Sequence, residues 1–158
     1  MRLPLFLLTV GGGTFVQCVL GPAVSIGGVV PDIPVVVVVL LALRRGSEAG
    51  CLVGFALGVI QDVLAGGPLG LHAVSKALIG FVAGDLPRLF LVSRPLVPVT
   101  AALLATVADG TIRFALLQLF HYPAPFGELL SRVIVPQAGY NAALATVALA
   151  VPAIRARA

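Results

Sequence analysis

The chain is predicted to be an all-α polytopic membrane protein, a compact bundle of six transmembrane helices forming one domain over residues 1–158. Three observations predict this. First, 59% of the 158 residues are hydrophobic and only 10% are charged, where a soluble domain carries about 25% charged residues. Second, the mean hydropathy is +1.13, more apolar surface than a water-soluble fold of this length can hide, so the bilayer is the solvent. Third, the apolar residues fall into six segments, and charge collects where segments end, with a few exceptions inside them. The net charge of +4 does not point to nucleic acid, because the basic residues stand singly or in pairs rather than on one face.

The first segment, Leu3–Leu20, follows Arg2 and resembles a signal peptide. It has no convincing small-x-small cleavage site before Pro22 and further spans follow, so it reads as an uncleaved first span. The second, Pro22–Leu43, contains Asp32. Its alternative is a re-entrant stretch over 22–31 with a half-span over 32–43, but twelve helical residues cover only about 18 Å, and one long span is preferred. The third and fourth, Ala49–Leu64 and Leu69–Gly84, have 16 residues each. A crossing needs about 20, so both extend by a turn or stand upright. The fifth is Leu96–Phe120 and the sixth Val133–Ile154. Leu86–Pro95 carries apolar residues between two arginines and reads equally as a loop or as a stretch lying flat in the interface.

Six spans place the basic residues consistently. With the N-terminus in the cytoplasm, Arg2, Arg44, Arg45, Arg88, Arg94, Arg155 and Arg157 fall inside, and the outer connections 62–71 and 121–132 hold only Arg132. Seven against one is a strong positive-inside bias, and it puts both termini in the cytoplasm. Cys18 and Cys51 then lie near opposite faces and do not pair; both read as buried apolar thiols.

Several residues inside the spans can carry chemistry or packing. Gly50, Gly54 and Gly58 form a small-residue stripe on span three, and Ala73, Ala77, Gly80 and Gly84 form another on span four. Such stripes let helix backbones approach closely in lipid, either within the bundle or against a partner helix. Span four is the favoured partner surface, because span three is central in sequence. Asp32, in P-D-I-P, suits an N-cap for the helix running to Leu43. Its expected depth also makes it a functional candidate. Asp62 lies about 18 Å and Lys76 about 13.5 Å from the cytoplasmic ends of antiparallel spans, which predicts an ion pair between spans three and four. Asp109 and Arg113 sit at i, i+4 on span five and can neutralise each other. Gln137 and Asn141 repeat that spacing on span six. These groups can meet in a polar core, a small-ligand pocket or a partner helix, and the sequence does not choose.

Catalysis is not indicated. His72 and Ser75 are neighbours, but no G-x-S-x-G elbow and no triad can be assembled. No G-x-G-D context marks an intramembrane aspartyl protease. The histidines and cysteines do not have metal-ligand spacing, and no P-loop is present. No cofactor is expected.

The order P-D before an apolar run, L-A-L-R-R-G, a glycine-spaced span, Q-D-V-L-A-G-G-P-L-G-L-H and a span ending G-F-V-A-G resembles the bacterial rod shape-determining MreD family. The close match covers residues 31–84, with Pro31, Asp32, Asp62, Gly66, Gly67, Pro68, Gly70 and His72 on the family pattern. Lys76 falls where that pattern has an apolar residue. The resemblance implies a non-enzymatic inner-membrane subunit of the cell-elongation machinery. Its implied direct partner is MreC, and the wider complex brings in MreB and the peptidoglycan synthase pair RodA and PBP2. The family is itself similar to the six-helix S components of energy-coupling-factor (ECF) vitamin transporters. That supplies the alternative function, a small-molecule-binding component with an outward pocket lined by groups such as Asp62, His72, Lys76, Arg113 and Asn141. Self-association and bound lipid are left open.

Overall fold

Pro31 has no backbone N–H to donate, Asp32 is a strong helix-capping residue and Pro34 fits only the first turn of a helix. The chain obeys these local rules over the apolar continuity around them: α2 runs Ile33–Arg45, with Asp32 as its N-cap. The computed structural model describes the backbone of residues 3–20, 23, 25, 27–66, 68–89, 96–122 and 125–155. Over these, α1 is Leu3–Leu20, α3 is Ser47–Ala65, α4 is Leu71–Leu89 and α5 is Leu96–Leu119. A single turn, α6 at Phe126–Leu129, leads through a wide π-type turn at Leu130–Ile134 into α7, Val135–Arg155. The all-α class is as expected. By length and composition, α3 and α5 qualify as membrane-crossing helices among the described residues.

The continuous span Pro22–Leu43 is corrected. Gly27 and Gly28 both have positive φ, 61° and 80°, a region that favours glycine, and they turn the chain before it reaches Asp32. What remains is a helix of 13 residues, about 20 Å long. Pro22 and Gly67 lie outside the described residues, as do residues 90–95; Leu86–Leu89 simply continue α4.

α2 is the centre of the bundle. A valine run that is apolar all round suits a helix enclosed on every side, and each face of α2 meets different neighbours. Val35, Val39, Ala42 and Leu43 pack with Ile79, Ala83 and Ala101 from α4 and α5. Val38 packs with Val10, Val53 and Leu57 from α1 and α3. Val36 packs with Ala102 and Ala145 from α5 and α7. At its far end Gly46 (φ 89°) donates to the Ala42 carbonyl at 2.8 Å and turns directly into α3. The exposed Arg44 and Arg45 occupy the last turn of α2, the negative end of the helix dipole.

The two small-residue stripes face one another. A Cβ on Gly50 would overlap the Gly80 carbonyl oxygen, one on Gly54 the Lys76 carbonyl oxygen, and one on Gly58 the backbone of His72 and Ala73. From the other side, a Cβ on Gly80 would overlap Gly50 and one on Gly84 would overlap Ser47. Ala73 is buried in the same seam, and Ala77 is half-buried. The expectation that the span-four stripe is an exposed partner surface is therefore corrected. It is half of the α3–α4 seam, where backbones meet because no side chains intervene.

The π-type turn has a local cause. Pro136 cannot donate to the carbonyl four residues back and crowds it. The backbone widens just before it, with the Val135 N–H reaching the Leu130 carbonyl. Ile134 is thereby set against α5, where Gly110 leaves room for it: an added Cβ there would come within 2.6 Å of Ile134 Cγ1.

Candidate functional site

The N-terminus of α2 begins inside the bundle, so its orphan N–H groups must find protein partners. They do so on side chains from several elements. The Asp32 carboxylate accepts from the Val35 N–H at 3.3 Å, its own helix cap. Gln17 of α1 accepts from the Ile33 N–H at 3.0 Å. Asn141 of α7 accepts from the Asp32 N–H at 3.1 Å. Gln61 of α3 donates to Asp32 Oδ1 at 3.3 Å, and Gln137 of α7 donates to the Val30 carbonyl at 2.8 Å. Residues 30–33 thus form a hub to which α1, α3 and α7 are tied.

Lys76 completes it from α4. Its side chain is fully buried, and its ammonium donates to Asp32 Oδ2 at 2.9 Å. Asp109 Oδ2 of α5 lies 3.7 Å away on its other side. The predicted Asp62–Lys76 pair is corrected: Lys76 lies between Asp32 and Asp109, and Asp62 is engaged elsewhere. Asp109 also accepts from Ser75 Oγ at 2.7 Å. Its Oδ2 lies 2.9 Å from Arg113 Nε, an electrostatic i, i+4 contact whose N–H is not aimed at the oxygen. Asn141 donates to Thr106 Oγ1 at 2.9 Å, so α5 is linked to α7 as well.

Asp62 works at one end of the bundle. α3 stops at Gly66, in the left-handed region with φ 65°, and the chain re-enters a helix after Gly70, with φ 100°. That turn exposes the first N–H groups of α4, and Asp62 reaches across to take them. It accepts from Gly70 at 2.9 Å, His72 at 2.9 Å and Ala73 at 3.1 Å. The glycine-rich segment before His72 is thus a connection shaped so that a carboxylate on α3 can cap α4. His72 Nδ1 lies 2.8 Å from Asp62 Oδ1, and its Nε2 lies 3.1 Å from Arg113 Nη1. An arginine nitrogen only donates. Nε2 is therefore the acceptor and Nδ1–H donates to Asp62, which makes the ring neutral in this state.

Asp62→Ala is expected to cost about 1–3 kcal/mol, because several buried donors lose a charged acceptor at once. Asp62→Asn, which keeps one acceptor oxygen, should cost less. Thermal unfolding of the two variants in mild detergent checks the order.

The structure brings together Asp32, Lys76, Asp109, Arg113, Gln137, Asn141 and His72, with Asp62 joined through His72. Pro31, Gly66 and Gly70 shape the backbone around them, and Pro68 lies in the described part of the α3–α4 connection. The sequence does not mark Gln17, Gln61, Ser75 or Thr106 as members. Their common signal is an uncharged polar side chain inside an apolar span. A groove of about 280 Å3 lies between α4 and α5, lined by apolar side chains including Leu78, Val82, Leu104 and Ala108. None of the polar residues named for a transporter-type ligand pocket lines it.

An all-α bundle of apolar helices, closed around a buried cluster of ionic and polar side chains, defines a membrane protein. The chain belongs to the MreD family: the family model for the rod shape-determining protein MreD matches residues 1–154 of the 158. No curated protein and no solved structure matches it. The family places the protein in rod-shape determination, in association with the shape-determining complex of the cell.

Proposed function

We propose that this protein is a non-enzymatic scaffold subunit of the cell-elongation machinery. It holds the single transmembrane helix of MreC and, through MreC, meets MreB, RodA and PBP2. The observation that carries this reading is the hub at residues 30–33. Side chains from α1, α3, α4 and α7 converge there and bind backbone and one another. A polar core spent on internal bonds fixes one arrangement of helices, which a scaffold needs and a ligand site does not. Because the glycine seam joins α3 to α4, the MreC contact lies on another face. Co-purification of the intact protein with MreC from a membrane extract tests this; loss of MreC under conditions that keep the bundle folded would sink it.

The chain crosses the bacterial inner membrane six times as one domain, with both termini in the cytoplasm. The shortened α2 is compatible with this count. Residues 27–32 lead into α2, which completes the second crossing toward the exposed Arg44 and Arg45. The seven-to-one arginine count supports the orientation. Reporter fusions at 46, 90 and 158 are expected to read cytoplasmic, and fusions at 66 and 125 periplasmic. A periplasmic reading at 158 with a cytoplasmic one at 46 would leave an odd number of crossings.

A further inference from the structure

His72 stands where the polar cluster reaches the surface, at the end of the bundle where α3 turns into α4. Its side chain is 17% exposed, beside Arg113 at 19%, while Asp62 and Asp109 are closed off at 1% and 0%. The ring therefore lies between the solvent and the sealed interior. It is held from two sides by opposite demands. Asp62 on α3 takes its Nδ1 proton, and Arg113 on α5 needs Nε2 bare. The other ionic groups that act on it are Lys76, one turn further along its own helix, and Asp32 at the head of α2. Asp109 on α5 stands behind Arg113. From α7, Gln137 offers only its amide, with its Oε1 3.5 Å from Arg113 Nη2.

Asp32 and Asp109 face Lys76, and Asp109 also faces Arg113, whereas Asp62 faces the ring itself and the N–H groups at the head of α4. A proton taken up at Nε2 would replace an acceptor with a donor and set a second cation against Arg113. That nitrogen cannot both carry a proton and accept from the guanidinium. The two states are thus mutually exclusive, and one proton chooses between them. A histidine is the side chain whose ordinary titration falls near neutral pH, about 6.5.

We propose that His72 is a proton-operated latch: its neutral ring holds Arg113 and so ties α4 to α5, and a proton arriving from the α3–α4 end of the bundle releases that tie. Release leaves the guanidinium to Asp109 and to Gln137, the residue that holds the Val30 carbonyl. The latch thereby connects acidity at one face to the hub at the centre. It rests on the scaffold reading only for its biological use, because the switch is a property of the isolated chain.

The test uses the full-length protein in lipid nanodiscs, with thermal unfolding followed between pH 8 and pH 5. The unfolding midpoint of the wild type is expected to fall by several degrees as pH is lowered through the imidazole range. His72→Asn, which keeps a donor for Asp62, should lose this pH dependence. His121→Asn, at the chain's other histidine, should keep it. An unchanged pH response in folded His72→Asn protein would overturn the latch. Should that variant not fold, 15N spectra of the imidazole in His121→Asn protein decide the matter. The Nδ1–H tautomer at pH 8 giving way to a doubly protonated ring by pH 5 supports the latch, and a ring that stays neutral throughout overturns it. Loss of MreC binding with the latch intact would count against the scaffold reading alone.

Discussion

Asp32→Asn and Lys76→Met are each expected to cost about 3–5 kcal/mol of bundle stability, because breaking a buried ion pair from one side strands the other charge. Lys76 is fully buried and Asp32 nearly so. Without Lys76, Asp32 keeps only its helix cap and Gln61. Without Asp32's charge, the ammonium has Asp109 at 3.7 Å but loses its single directed acceptor. The double variant removes both charges together and should be milder than the sum of the two single changes by several kcal/mol. Chemical or thermal unfolding in detergent, run as a double-mutant cycle, measures the coupling. A double variant no more stable than the worse single one would show that the pair does not act as a unit. Asp62→Asn with Lys76→Met should show no comparable coupling, since the two residues have separate partners.

Gly54→Leu is expected to yield no folded protein. A first side-chain atom at this position already overlaps the Lys76 carbonyl oxygen, and the Ala77 backbone N is 3.1 Å away. These are backbone atoms and cannot swing aside. Overpacking a core by a methyl or two costs about 1–3 kcal/mol when neighbours relax. Here α3 and α4 must separate along the seam, so even Gly54→Ala should fall at or above the top of that range. Gly139→Leu is the matching control. It lies on a helix too, yet nothing comes within 4 Å of an added Cβ, and it should give normal yields. The yield of monodisperse protein after detergent extraction separates the cases; a well-folded Gly54→Leu protein would mean that the seam is not rigid.

Much of this architecture could be read in advance because it follows from local rules. The apolar segments for α1, α3 and α5 have ends within about two residues of the helices, since composition changes sharply there. Asp32 as a cap, Asp109 with Arg113 on one helix face and the small-residue stripes as packing surfaces all follow from spacing. Hydropathy does not change across residues 22–43, so it does not choose between one long span and a half-span over 32–43, which is close to the observed α2. Only the Gly27–Gly28 turn and the prolines at 31 and 34 mark the break, and their effect is conformational. A continuous span would leave Asp62, on the adjoining helix, as the nearest anion for Lys76. Once α2 starts at Ile33, its cap lies level with Lys76, and Asp62 is free to cap α4. The neighbour of the α4 stripe is illegible for a different reason: periodicity shows that small residues share a face, and it does not show which neighbour covers that face.

The brevity of α2 has a consequence for how the protein is made. About 20 Å of helix falls short of a hydrocarbon layer of about 30 Å, and a carboxylate stands at its head. Such a segment has little claim to be threaded into lipid by itself as it leaves the ribosome. Joined to α3 through the single residue Gly46, it is carried in as one arm of a hairpin. Its polar tip then waits. Lys76 arrives with the fourth helix, and Gln137 and Asn141 arrive only with the last. The head of α2 therefore has its full set of partners only once α7 is in place.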